Sequence, residues 1–519
     1  MSFSDDEPIV ALPGAAPRPI PIVPGRVKVV PTNNPKVAIE ENIQKVMLEV
    51  TGGDSTADRD GLDLVAVLDV SGSMSTGDKL GLLKKAMRFV IGKLSPIDRL
   101  SIVSFSSSAN RLCPLRQVTE TSKPQLLKLI DGLVANGGTN IADGISTALK
   151  VFADRNNKVG RVVGVMLMSD GQESEPRGAA AKVTNVVVPI YTFGFGADYD
   201  SAVLNAVARN SNGATFGAVD KVDGLSQAFS QILAGMVTVV VSNLKITVSR
   251  FDRQSTIQSV SAGIYDQTKT PDGSSYTICF GDLFSKEVRK ILVELLLPAI
   301  EQARGANILK ISYTYTIGTS PFVGRPTMIT VRRIVGLTSD TAPPQEVQTE
   351  EARLQMASMI REARTMADGK NIGNARKKLV EAQNALEDIE EQTNPLVNSL
   401  KNEIQQLLEL FRTQELYDKK GRSFALSSET SHDLQRYAPR GDIGSIPLFA
   451  TPRMTTYLEQ AKKFDKDPTA PLPSVDEDVK EEIAANPLGP ISGPISFYIQ
   501  TAIQALQAID DLISNGANL

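Results

Sequence analysis

Residues 62–74 read LDLVAVLDVSGSM. The opening run reads as fully buried, the pattern of a strand covered on both faces in a helix-flanked parallel sheet. It stops on Asp69, Ser71 and Ser73, three oxygen-bearing side chains at alternate positions, with Gly72 between the serines. Alternate residues past a strand end turn toward one point, and Gly72 lets the loop close tightly around it. In open α/β sheets that point, outside the carboxyl ends of the strands, is where ligands bind.

The same rhythm continues on either side of this stretch. RLSIVSFSS (99–107), RVVGVMLMSDG (161–171) and VVVPIYTFGFG (186–196) are further short apolar strands. Amphipathic helices are predicted between them at 79–94, 140–154, 199–210 and 225–236. In the first, Leu83, Met87, Val90, Ile91 and Leu94 share a face. Residues 62–238 are thus read as an α/β domain with a doubly wound, mostly parallel sheet.

From 239 to 335 the period becomes two. Leu244, Ile246 and Val248 alternate with polar residues, as do Ile291, Val293, Leu295 and Leu297. So do Leu309, Ile311, Tyr313, Tyr315 and Ile317. One wet face per strand predicts an antiparallel β-sandwich. Val46, Leu48 and Val50 mark a strand in 36–61, which otherwise is loop. If that strand pairs with the later ones, the α/β domain is inserted in the sandwich; otherwise the sandwich follows it. Residues 345–415 carry helical seams (Ala375, Leu379, Ala382, Leu386, Ile389; then Val397, Leu400, Ile404, Leu407, Phe411) and predict a helical hairpin or three-helix bundle. Residues 1–35 are proline-rich and are read as a disordered arm. Residues 416–519 are read as a polar, proline-rich tail. Its terminal amphipathic helix carries Phe497, Ile499, Ile503, Leu506, Ile509 and Leu512, and either docks on the body or serves self-association.

Composition narrows the function. A chain of 519 residues with 41% hydrophobic and 22% charged residues is a folded soluble protein of roughly three or four domains. Its formal net charge of −4 gives no basic stripe for nucleic acid or anionic lipid. No apolar run reaches the ~18 residues of a membrane span. MSFSDDEP is acidic where a secretory signal is basic and then apolar, and Cys113 and Cys279 are too few for a disulfide framework. The expected location is the cytosol, with the nucleus as the alternative. The one histidine, His432, lies in the polar stretch SSETSHDLQ and is expected on the solvated surface. A two-histidine zinc site is ruled out.

Two further loops present oxygens at the same edge: Gly137-Gly138-Thr139, and Asp170-Gly171 at the end of its strand. With Asp69, Ser71 and Ser73 they supply three hydroxyls and two carboxylates. That all-oxygen set suits a hard divalent cation, Mg²⁺ first, with Mn²⁺ or Ca²⁺ as alternatives. Neutral hydroxyls leave the ion electrophilic, so its remaining position favours an anion such as a partner protein's Asp or Glu carboxylate.

The D-x-S-x-S run at 69–73, Thr139 after its glycines and the strand-ending Asp170 resemble the metal-ion-dependent adhesion site of von Willebrand factor A domains. The resemblance implies that Ser71, Ser73 and Thr139 offer hydroxyls to the ion, while Asp69 and Asp170 act directly or through ordered water. An A domain flanked by β-strands and followed by helices is similar to the inter-α-trypsin-inhibitor heavy chains. FSDDEPI, GGTNIADGI, LMSDGQES and VPIYTFGFGADYDS resemble plant cytosolic A-domain proteins related to the wavy-growth ubiquitin ligases still more closely. Those ligases carry a RING finger of eight Cys/His ligands. This sequence has two Cys and one His, so their ligase activity is not carried over.

Enzymatic alternatives lack their parts. A serine nucleophile at Ser71 or Ser73 needs a base, and no histidine is near and nothing in the sequence places a lysine there. The first strand is followed by DVSGSM and not G-x-G-x-x-G, and no G-x-x-x-x-G-K-[ST] loop occurs. The expectation is a non-enzymatic interaction module that grips a partner's carboxylate through its metal. The alternative is a substrate-recruiting component of a ubiquitin-ligase assembly that works with a separate RING subunit.

Overall fold

In the computed structural model of the chain, residues 25–506 are described, except 56–58, 173–177, 185, 197, 220–223, 339–340, 388, 390–393, 441–447, 490, 500–501 and 504–505. Strands β1 (Val27–Thr32), β2 (Lys36–Ala38) and β3 (Asn42–Gly52) precede the α/β unit. That unit contains β4 (Gly61–Asp69), β5 (Arg99–Phe105), β6 (Ala109–Arg111), β7 (Arg116–Gln117), β8 (Arg161–Ser169), β9 (Ile190–Phe195) and β10 (Phe216–Val219). Its sheet runs β10-β9-β8-β4-β5-β6, with β7 also on β5. The pairs from β10 through β5 are parallel, and β6 and β7 are antiparallel to β5.

β4 occupies the middle of this sheet, and every one of its residues is buried. Leu62, Leu64, Ala66 and Leu68 pack on one face with α1 (Lys79–Lys93), α2 (Lys123–Asp131) and α6 (Leu225–Met236). Val65 and Val67 pack on the other with α3 (Ile141–Asp154), α4 (Gly178–Ala181) and α5 (Ser201–Asn210). The doubly wound reading of 62–74 therefore holds. The Asp69 loop stands at the carboxyl edge of the central strand.

The chain then forms β11 (Val239–Arg250), β12 (Thr256–Ser261), β13 (Asp266–Lys269), β14 (Ser275–Phe284), β15 (Val288–Leu297), β16 (Arg304–Ile317), β17 (Ser320–Val323) and β18 (Thr327–Ile334). One sheet runs β1-β3-β15-β12, the other β13-β14-β11-β16-β18-β2 with β17 on β16. β3 and β15 pair antiparallel from Asn42↔Leu297 to Thr51↔Val288, and β2 lies parallel to β18. Val46, Leu48 and Val50 share a buried core with Ile246, Val248, Ile291, Val293, Leu309 and Ile311. The sandwich is thus closed by strands from both sides of the α/β unit, which is inserted in it. The expectation of a disordered arm over 1–35 is corrected at 27–32. There β1 pairs with β3, and Pro31 is accommodated because β1 lies at a sheet edge. Residues 1–24 of that arm lie outside the described residues.

Beyond the sandwich, α7 (Gln345–Asp368), α8 (Ile372–Glu387) and α9 (Pro395–Leu410) share a core of Met356, Ile360, Leu379, Leu386, Leu400, Ile404 and Leu407. They are followed by α10 (Gln414–Leu416), α11 (Arg422–Leu434), α12 (Pro452–Lys466) and α13 (Val475–Ala485).

The polar tail expected from 416 is corrected most sharply at α11, where every residue from Phe424 to Leu434 is buried. Its polar groups are buried because each finds a partner. Ser427 donates to the Pro439 carbonyl, Ser428 to Glu403, Thr430 to Asn205 and Ser431 to the Arg436 carbonyl. Asp433 accepts from Arg209 of α5 and Arg361 of α7. The next residue but one, Gln435, bonds both the N–H and the C=O of Lys290 in the sandwich. α11 therefore joins the α/β unit, the sandwich and the helical region.

α12 also docks, placing Met454 and Tyr457 in the α/β core beside α6. Residues 491–499 are helical, with Phe497 against Phe322 at a ring distance of 6.2 Å and Ile495 and Ile499 about half exposed. Ile509 and Leu512 lie outside the described residues. Among the described residues, no helix is long and apolar enough to cross a membrane.

Candidate metal centre

The central loop starts where β4 ends. Asp69 is fully buried; one carboxylate oxygen accepts from the Ser71 N–H at 2.8 Å and the other from the Ser169 hydroxyl at 2.6 Å. Burial pushes its carboxyl above the usual range, the Ser169 and Ser71 bonds oppose this, and the charge of Asp170 adds to it. From Ser71 a chain of oxygens runs outward. Ser71 Oγ lies 3.0 Å from Ser73 Oγ, which donates to Asp170 Oδ1 at 2.7 Å. Asp170 is fully buried, whereas Ser73 is exposed and marks the open side.

The second loop is clamped to the first. The Gly72 N–H donates to the Gly137 carbonyl at 3.0 Å, and the Asn136 N–H to that of Val70 at 2.8 Å. Gly137 has φ +76° and a Cβ there would come within 3.0 Å of Ser107 Oγ, so this turn requires glycine. Thr139 follows, with Asn140 capping α3 by accepting from the Asp143 N–H. In the third loop, a Cβ on Gly171 would stand 2.9 Å from Thr139 Oγ1 and 3.6 Å from Ser73 Oγ. The missing side chain leaves the space that these two hydroxyls border. Hydrogen bonds thus bring together Asp69, Ser71, Ser73 and Asp170, and Thr139 closes the group across Gly171.

Two residues escaped the sequence reading. Ser169 orients Asp69, a role that the adjacency of MSDG to the strand end could have suggested. The other is Lys79, the first residue of α1. Its Nζ donates to Asp170 Oδ2 at 2.5 Å, and its side chain is only 14% exposed. The expectation that nothing places a lysine at this loop is therefore corrected. As the cation of an ion pair with Asp170, Lys79 has no lone pair to offer Ser71 or Ser73, so it supplies no base.

The donor set fits a hard divalent ion on two counts. Every candidate ligand is oxygen, and Gly171 leaves the space between hydroxyls open. Among the described residues, no group of three or more His, Cys, Asp and Glu is arranged to hold a metal.

The doubly wound sheet thus carries a three-loop oxygen cluster at its carboxyl edge. Residues 63–231 match the family described as von Willebrand factor type A domain, and that is what this unit is. Residues 394–463 match a second family, VWA / Hh protein intein-like. The chain is similar to two proteins of Arabidopsis thaliana. The probable E3 ubiquitin-protein ligase WAVH2 is 32% identical over 205 residues, covering 38% of this chain and 28% of that protein. The E3 ubiquitin-protein ligase WAV3 is 31% identical over 203 residues, covering 36% and 24%. The chain thus spans only about a quarter of these relatives' length.

Two solved structures share the fold over most of the chain. A von Willebrand factor type A protein from Catenulispora acidiphila has a TM-score of 0.60 at 15% identity, covering 74% of this chain and 91% of that one. The ArnB paralog VWA2 from Sulfolobus acidocaldarius has a TM-score of 0.50 at 15% identity, covering 78% and 97%. Von Willebrand factor A domains in general mediate protein interactions, are generally non-enzymatic and often bind a divalent metal at this edge.

Proposed function

We propose that the protein is a non-enzymatic interaction module that holds a partner protein by an Asp or Glu carboxylate through a divalent ion. The observation that carries this is the hydrogen-bonded oxygen chain Ser71–Ser73–Asp170 beside the buried Asp69, open to solvent at Ser73. Asp69, Ser71, Ser73, Thr139 and Asp170 are the residues that would hold the ion. Once bound, it supplies an electrophilic centre for an anionic ligand from outside. Mg²⁺ is the favoured ion, with Mn²⁺ or Ca²⁺ as substitutes, and the cytoplasm is the proposed site of action. The apolar face of the terminal helix is proposed to serve self-association. The test is a pull-down from source tissue with and without chelator: partners should be released by chelator and recovered with Mg²⁺. A partner set unaffected by chelator would overturn the reading.

The likeness to the two named ligases favours a second reading, a substrate-recruiting component that works beside a separate RING subunit. It predicts a stably bound RING protein in the same pull-down, which the first reading does not require.

A further inference from the structure

Lys79 stands in an unfavourable place for a cation. It opens α1, whose first turn reads KLGL, and a positive charge at a helix N-terminus opposes the helix dipole. The preceding Asp78 caps the helix with left-handed backbone and makes no capping bond from its side chain. Yet the lysine is drawn inward. Its Nζ lies 2.5 Å from Asp170 Oδ2 and 5.9 Å from the centre of the Phe195 ring. Gly196, at φ +90°, would place a Cβ 3.4 Å from both Cε and Nζ, so its bare backbone makes the groove in which the side chain lies. Strand β9, helix α1 and the β8 loop thus converge to hold one ammonium on one buried carboxylate.

We infer that Lys79 is a built-in counter-cation that weakens the pocket's hold on a free divalent ion and so makes the ion's retention depend on an anionic partner. This role presupposes the bound ion proposed above and follows from formal charge. Asp69, Asp170 and Lys79 together carry one net negative charge. A divalent ion turns this into one net positive charge, and a partner's carboxylate then restores neutrality. Without Lys79 the two carboxylates neutralise the ion by themselves, and the partner's carboxylate adds an uncompensated charge. In a largely buried site such differences are large. Lys79 therefore sets when the ion binds and which charge of partner it selects.

The test uses the purified full chain and the metal alone as probe. Mn²⁺ and Mg²⁺ affinities of wild type, Lys79→Met and Lys79→Arg are measured by titration calorimetry, with melting curves in chelator and in excess ion. Lys79→Met should bind at least about tenfold tighter than wild type. It should also melt lower in chelator, where Asp170 is left uncompensated, and Lys79→Arg should stay near wild type. Lys79→Gln repeats the measurement if the methionine variant does not fold.

Binding by wild type with equal or weaker binding by the neutral variants overturns the inference and leaves the metal reading standing. Binding by the neutral variants alone supports the inference; if wild type then takes up no ion even with excess acetate as a stand-in for the partner's carboxylate, the metal reading for the native pocket is overturned. Binding by none of these proteins overturns both.

Discussion

His432 Nε2 and a carboxylate oxygen of Glu403 lie 2.8 Å apart, with both side chains wholly buried. On the other side of the ring, Arg353 Nη1 approaches Nδ1 at 3.3 Å. Arginine only donates, so Nδ1 accepts and Nε2 carries the proton toward Glu403, which makes the imidazole neutral. Burial lowers the His432 pKa below its ordinary value, an effect that Glu403 opposes. Burial would push Glu403 up, but Arg440, His432 and the Ser428 hydroxyl outweigh it and hold the carboxyl down at about 2. The pair ties α9 to α11 at the junction of the domains.

Stability should accordingly fall on acidification in two stages. Both folded pKa values lie below their unfolded ones, so both contributions are fully present above the unfolded values and are lost as pH falls. The histidine stage begins near pH 6.5, and the glutamate stage runs from about 4.5 to about 2. Each can contribute a slope of at most about 1.4 kcal/mol per pH unit. In melting curves across pH 3–8, His432→Gln should flatten the first stage and keep the second. An unchanged first stage would contradict the assignment.

Removing the acid itself should be more severe. Glu403→Gln leaves Arg440 buried without its carboxylate and should cost about 3–5 kcal/mol in chemical denaturation. A loss below about 1 kcal/mol would show that the junction does not rest on this pair.

The insertion has its own signature. Leu48 in β3 is fully buried in a core built largely from strands some two hundred residues later. Leu48→Ala should cost about 2–5 kcal/mol. Limited proteolysis should open sites in 239–334 before sites in 61–236. The reverse order would contradict the shared core.

These residues also show what a sequence discloses and what it hides. LDLVAVLD declares its burial because both faces of β4 are apolar, and Asp69, Ser71 and Ser73 declare a site by their spacing. Leu48 and Ile291 show period two, and that period predicts a sandwich without naming the strands that pair. SSETSHDLQ misleads, because burying its polar groups depends on distant partners: Asn205 for Thr430 and Glu403 for Ser428. Polarity predicts exposure only where such partners are missing. Lys79 is hidden for the same reason, since its acid lies 91 positions away and only the folded loops bring them together.

Charge at the site should govern partner binding. Asp170→Asn should weaken chelator-sensitive binding by about 2–5 kcal/mol, the cost of losing one member of a buried charged contact. Because that substitution strands the Lys79 ammonium, the double variant Lys79→Met/Asp170→Asn serves as the folding control. A wild-type melting curve combined with lost binding assigns the effect to the site. Full binding by the folded double variant in chelator would count against it.

Whether the Asp69 loop holds a divalent ion is decided by titration calorimetry of the full chain with Mn²⁺. Wild type should show saturable binding to one site, abolished in the Ser71→Ala/Ser73→Ala double variant without loss of the folded circular dichroism spectrum. No heat at saturating Mn²⁺, or binding unchanged by the double substitution, would contradict it.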